Sequence, residues 1–122
     1  MIKIAVKKNT ALITIAIFFS TLFSCNNIAS ANPAGGEVVA GNASIGTPQD
    51  GVLQISQTTT NAIINWSSFN IAKHEHTHFV QPAGGVTLNR IDASNGVSEI
   101  LGQLSATGTL VLVNQAGILF GQ

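Results

Sequence analysis

The sequence predicts an all-β fold of short strands and tight turns, and two observations carry this. First, from residue 79 onward strand-like segments alternate with turn signals. The segments are Phe79–Val80, Val86–Ile91, Val97–Leu104, Thr109–Val113 and Gly117–Phe120, separated by Pro82-Ala-Gly-Gly85, Ser94-Asn-Gly96, Ala106-Thr-Gly108 and Asn114-Gln-Ala-Gly117. The turns recur roughly every 9–12 residues, a spacing that suits an all-β domain and leaves no room for long helices. Second, all 12 Gly and all 3 Pro fall after residue 31, among many Val, Ile, Asn and Thr. β-Branched side chains suit a pleated surface, and Gly and Asn suit φ > 0. Composition alone leaves two architectures open: a sandwich of two sheets, or a solenoid whose coils stack on one another. No exact internal repeat is visible to choose between them.

Residues 1–31 read as a secretory leader. Lys3, Lys7 and Lys8 precede an uncharged apolar run from Ala11 to Phe23. That run is shorter than the about 20 residues a membrane-spanning helix needs. A positive start, a short apolar middle and the small-residue triplet Ala29-Ser30-Ala31 are the three parts of a signal peptide. Cleavage after Ala31 starts the mature chain at Asn32 and implies handling by the Sec machinery and a signal peptidase. A buried amphipathic helix is the competing reading, but the run lacks a clean 3.6-residue alternation. A second processing route runs through Leu22-Phe23-Ser24-Cys25, which loosely resembles a lipoprotein box with Cys25 as the lipid-bearing residue. Phe23 is bulky for that box. Cys25 is the one cysteine, so no intramolecular disulfide can form.

The remainder, 32–122, carries Lys73 and Arg90 against Glu37, Asp50, Glu75, Asp92 and Glu99, a formal charge of −3. Nucleic-acid binding normally needs a basic face, so it is not expected. Gly51–Gln57 alternates apolar and polar residues at 53, 55 and 57, and Ala62–Trp66 is a second apolar stretch. Trp66 suits core packing or a cap better than a sugar-stacking platform. Gly102 and Gly108 suit close approach or a turn.

Residues 57–121 then present an ordered series: Gln57; Ile64-Asn-Trp66; Ser68-Phe-Asn-Ile71; Phe79-Val-Gln-Pro82; Leu88-Asn-Arg90; Ser98-Glu-Ile100; Gly102; Leu104; Ala106; Gly108; Leu112-Val-Asn114; Gly117-Ile-Leu-Phe-Gly121. This series resembles the two-partner secretion domain of the filamentous haemagglutinin family, the N-terminal haemagglutination-activity module of large exported bacterial proteins. The resemblance implies a right-handed parallel β-helix with an N-terminal cap and extra-helical strands. It also implies an export signal, recognised in the periplasm of a Gram-negative bacterium by an outer-membrane β-barrel transporter bearing polypeptide-transport-associated domains. The product would be secreted or held at the cell surface. On that resemblance Asn114, Gly117, Ile118, Leu88, Asn89 and Arg90 carry recognition. Trp66, Phe69, Phe79 and Phe120 form the structural core, with Leu88 as further support.

Two departures stand out. The family's Asn-Pro-Asn-Gly-Ile motif matches Asn114-Gln115-Ala116-Gly117-Ile118 only at the first, fourth and fifth positions, and a second motif of Asn-Pro-Asn-Leu type is not found. Family modules and their parent proteins are also longer, so the chain is expected to be a truncated, N-terminal piece. Its end would expose Ile118, Leu119 and Phe120 on an open edge.

Other chemistry is sparse. If a strand covered 74–78, His74, His76 and His78 would share one side and could hold Zn²⁺. The competing reading is a solvated strand edge leading into Phe79. Asp92 and Glu99 could be paired carboxylates, as in a sugar-cleaving β-helix, or could pair with Arg90. No nucleophile elbow, P-loop or H-E-x-x-H appears, so neither an enzyme nor a cofactor is expected. A surface adhesion module, binding host glycan or matrix through exposed Asn, Thr and Gln faces, is the alternative function. A metal-binding secreted domain is a third.

Overall fold

A computed structural model describes residues 3–4 and 31–121. The expected leader, with Cys25 and most of the cleavage triplet, lies outside the described residues, apart from Lys3–Ile4 and Ala31. Eleven strands run in chain order: β1 (Lys3–Ile4), β2 (Glu37–Ala40), β3 (Ala43–Ile45), β4 (Val52–Gln57), β5 (Asn61–Trp66), β6 (His76–Val80), β7 (Val86–Ile91), β8 (Ser98–Ile100), β9 (Gln103–Ala106), β10 (Thr109–Asn114) and β11 (Ile118–Phe120). A single 3₁₀ turn, Ala93–Asn95, follows β7.

Consecutive strands in the sequence do not pair with each other from β4 onward. They pair in parallel with the strand one coil away, so the all-β expectation resolves into a parallel β-helix. One face is β4–β6–β9, the second β5–β7–β10 and the third β8–β11. The bridge Ile71–Ile100 extends the third face to the first coil. Coil offsets differ by face. Val52 aligns with His76 and then Gln103, Asn61 with Val86 and then Thr109, Ser98 with Ile118, and Ile71 with Ile100. The offset thus ranges from 20 to 29 residues, which is why no fixed repeat is legible in the sequence.

The first coil is closed from below by an antiparallel cap. β2 pairs antiparallel with β5, and β3 antiparallel with β4, so two consecutive short strands, not paired with each other, cover two faces. These cap strands have no counterpart among the strands read from sequence. At the opposite end, β1 pairs in parallel with the last two residues of β10.

Two-residue alternation puts one side of each strand inside. Leu53 and Ile55, then Ile64 and Trp66, then Phe69 and Ile71 line the first coil; Phe79, Ile91 and Ile100 line the second; Leu112 and Ile118 line the third. Together they form one continuous cluster. Trp66 and Phe69 meet edge to face, with ring centroids 5.5 Å apart. Trp66 is therefore a core residue, and its ring is closed to any sugar. Each buried Ile or Phe contributes on the order of 1.5–3 kcal/mol.

Three expectations need correction. The single apolar segment over Val97–Leu104 is two strands, β8 and β9, split by a corner at Leu101-Gly102. A Cβ on Gly102 would collide with the carbonyl oxygens of Ala72 and Glu75, so only glycine lets the coils pass this closely. Phe120 is 46% exposed rather than core. It sits on β11, the outer strand of its face, with no described strand beyond it. Leu88 faces outward, half-buried, because the inward positions of β7 are Thr87, Asn89 and Ile91.

Between Leu53 and Leu104 on the first face sits Thr77, fully buried, with no hydrogen-bond partner for its hydroxyl among the described residues. Thr77→Val keeps the shape and removes a polar atom buried without a partner. Unfolding of the exported protein should show it more stable by about 1 kcal/mol. Gly102→Ala should act the other way, lowering stability by about 2 kcal/mol or more in the same measurement, since two backbone segments must move apart.

Candidate functional site

The residues expected to carry recognition are split by the fold into an inward and an outward set. The inward set builds corners. Asn114 ends β10, fully buried. Its Oδ1 accepts the Ala116 N–H at 2.9 Å, and its Nδ2 donates to the Gly96 carbonyl at 3.1 Å and to Ser98 Oγ at 2.9 Å. The Gly117 N–H closes the turn on the Asn114 carbonyl at 3.1 Å, and Gly117 has φ +117°. The Gly117 carbonyl in turn accepts from Ser98 at 3.0 Å, which sets Ile118 beside Ser98 in the β8–β11 register. Asn114, Gly117 and Ile118 are thus one corner, bonded to the corner of the coil before it. The turn keeps its shape without the family's proline because the Asn114 side chain bridges it.

Asn89 is the second inward residue, also fully buried. It accepts the Trp66 indole N–H at 2.8 Å. A buried indole needs an acceptor, and Asn89 supplies it one coil along. Its neighbours Leu88 and Arg90 form the outward set. Leu88 lies in register between Ile63 and Val111, so the outer side of the second face carries an apolar row across three coils. Arg90 is exposed and its Nε donates to Asn65 Oδ1 at 2.8 Å, the residue at its own register on β5. That bond stands where pairing with Asp92 or Glu99 was expected.

A second set of corner residues, singled out in the sequence only as part of motifs, does comparable work. Gln57 Oε1 accepts from the Thr87 hydroxyl, and Gln57 Nε2 donates to the carbonyls of Thr59, Thr60 and Val86. Gln81 Nε2 donates to Thr87 Oγ1 at 2.7 Å and to the Thr109 carbonyl at 2.9 Å, while its Oε1 accepts the Gly108 N–H at 2.8 Å. Thr107 Oγ1 accepts the Gln81 N–H at 2.7 Å. The signal that could have found this ladder is the pair of Gln residues ending successive inward-alternating strands.

The histidines do not assemble. β6 begins at His76, so His74 lies exposed in the preceding turn rather than on the strand. His76 and His78 face outward, and Nε2 of one and Nδ1 of the other each lie 2.6 Å from Ser105 Oγ. Among the described residues no group of three metal-ligating side chains comes together. Asp92 and Glu99 line separate clefts. Asp92 caps the 3₁₀ turn, and the backbone N–H and then the side chain of Ser94 hold its carboxyl below the usual range. Gly108, like Gly102, is a close-approach glycine, packed against the Gly85 carbonyl and the Gln81 amide.

Residues 29–122 match the family described as the TPS secretion domain. The heme/hemopexin-binding protein of Haemophilus influenzae strain Rd is 34% identical over 111 residues, covering 88% of this chain and 12% of that protein. A second Haemophilus influenzae heme/hemopexin-binding protein is 31% identical over 106 residues, covering 83% of this chain and 11% of that one. The chain therefore spans about an eighth of the length of these relatives. The secretion domain of HMW1 from Haemophilus influenzae superposes with a TM-score of 0.65 at 31% identity, over 75% of this chain and 24% of that one.

Asn114→Ala removes three hydrogen bonds at a buried corner and strands the Ser98 hydroxyl. It should cost roughly 1–3 kcal/mol of stability. Arg90→Ala, at an exposed position, should change stability by about 0.5 kcal/mol or less. Chemical denaturation of both variants checks the inward and outward assignment.

Proposed function

The chain belongs to the TPS secretion domain family, and from that premise we propose that residues 32–122 are the segment an outer-membrane transporter grips to carry an exported protein out. As a family member it is the secretion domain of a two-partner exoprotein, secreted or held at the cell surface, in a family of export modules rather than of enzymes. Our reading adds the route: Sec-dependent passage with removal of a leader at Ala31, then capture in the periplasm by the polypeptide-transport-associated domains of a β-barrel partner. The match begins at residue 29, at the small-residue triplet that ends the expected leader. That junction is the observation that carries the reading.

The fold supports recognition before the coils close. Asn89, Asn114 and Ile118 are buried, so a partner meets their side chains only on an open chain. The parallel coil strands hydrogen-bond 20–29 residues away, so an emerging coil has little to fold on locally. Until then each strand offers unpaired N–H and C=O groups, and a partner can add it as an extra strand. Once the first coil and its cap are outside, stacking of each later coil is a nearest-neighbour gain.

A photo-crosslinking residue placed at Leu88, and separately at the buried position Ile64, should capture the periplasmic domains of the partner in cells arrested during export. Capture from both positions supports recognition of an open chain. Absence of capture from every position tried within 32–122 overturns the reading.

A further inference from the structure

The segment that leads into the cap is bonded to a buried carboxylate that neither coil stacking nor the export reading uses. Glu75 lies just before β6 and is 8% exposed. Its Oε1 accepts the Ala72 N–H at 2.8 Å. The Ala31 N–H lies 3.2 Å from each of the two oxygens, and Asn32 Nδ2 donates to Oε2 at 2.9 Å. Asn32 is itself only 6% exposed. Uncharged glutamine would accept the same kinds of bond through its one oxygen without the cost of burying a charge. A carboxylate suits a site that receives a cation.

The expected cleavage point falls on this site. Hydrolysis of the Ala31–Asn32 peptide bond, with water as co-reactant and signal peptidase as catalyst, gives the hydroxyl to the Ala31 carbonyl and a hydrogen to the Asn32 nitrogen. That nitrogen takes a further proton from solvent. The Ala31 N–H donor departs with the leader. In its place a primary ammonium appears on Asn32, the residue whose side chain already bonds Glu75.

We propose that Glu75 is the receiving site for the α-ammonium of the mature chain, an ion pair that fastens the start of that chain to the turn before the second coil once the leader is gone. This rests on the reading of residues 1–31 as a cleaved leader. Among the described residues, the other charged groups nearby are solvated: Lys73 and His74 are exposed in the same turn, and exposed Glu99 lines the open cleft beside Ala31 with Asn70, Ala72 and Leu101. Exposed charges weigh less than a buried carboxylate already hydrogen-bonded to the same residue.

The test uses the full chain, expressed with its partner transporter and recovered after export. Mass spectrometry first establishes the N-terminus. Competitive acetylation with acetic anhydride across a range of pH then gives the pKa of the α-amino group, in the native protein, in urea, and in Glu75→Gln. The ordinary value is about 7.7–8.0. Pairing with Glu75 raises it, so native protein should label at least tenfold more slowly at neutral pH than protein in urea or Glu75→Gln. Burial without pairing lowers the pKa instead, so the direction separates the two. The comparison with urea needs no variant and holds even if Glu75→Gln misfolds. A chain that begins at Asn32 with an unshifted or lowered α-amino pKa overturns the proposal and leaves the leader reading standing. A chain that begins elsewhere overturns both.

Discussion

Backbone hydrogen bonding between successive coils is the constraint on which the rest of the structure depends. From β5 onward no strand pairs with the strand next to it in the chain. Its N–H and C=O groups are met by the strand one coil before and one coil after. Buried backbone groups must be paired, so every coil needs a neighbour on each side. The cap supplies that neighbour for the first coil with antiparallel strands, the one place where the parallel pattern is broken.

Stacking alone fixes direction but not register. Register comes from the polar side chains inside. A one-residue slip would turn Leu53, Ile55 and Phe79 outward, which the apolar pattern already opposes. Asn89, Asn114, Gln57, Gln81 and Thr87 add a stricter condition. Each is buried with donors and acceptors matched to a particular backbone or side-chain group one coil away, or to its own turn. A shifted coil would leave these groups unpaired at about 1–3 kcal/mol each. Their net contribution in the correct register is smaller than that penalty, so they act mainly by raising the alternatives.

Much of this was legible in the sequence, and the misses have physical causes. Alternation located β4, an apolar stretch located β5, and strand-like segments set between turn signals located β7 and β10. Trp66, Phe69 and Phe79 lie where an apolar reading puts them. Leu88 was misplaced because an apolar residue beside a polar one reads as the inward member. Here the Trp66 indole requires Asn89 inside instead. The cap strands escaped because Glu37–Ala40 is mostly exposed and carries no alternation to detect. The choice between sandwich and solenoid was not decidable from periodicity, since coil offsets differ on each face. The family resemblance decided it. The histidine cluster failed on a strand boundary two residues later than the pattern assumed.

The antiparallel cap gives the molecule a polarity. Its two strands cover the lower rim on two faces with chain running antiparallel to the coils, whereas at the other rim β9 and β11 are parallel members of the stack, with Leu119 and Phe120 exposed beside the latter. Lengthening can therefore proceed from one rim only. A second copy laid coil on coil against the cap would meet antiparallel strands rather than another parallel turn, so the cap breaks the head-to-tail continuity that a doubly open stack of parallel strands would invite.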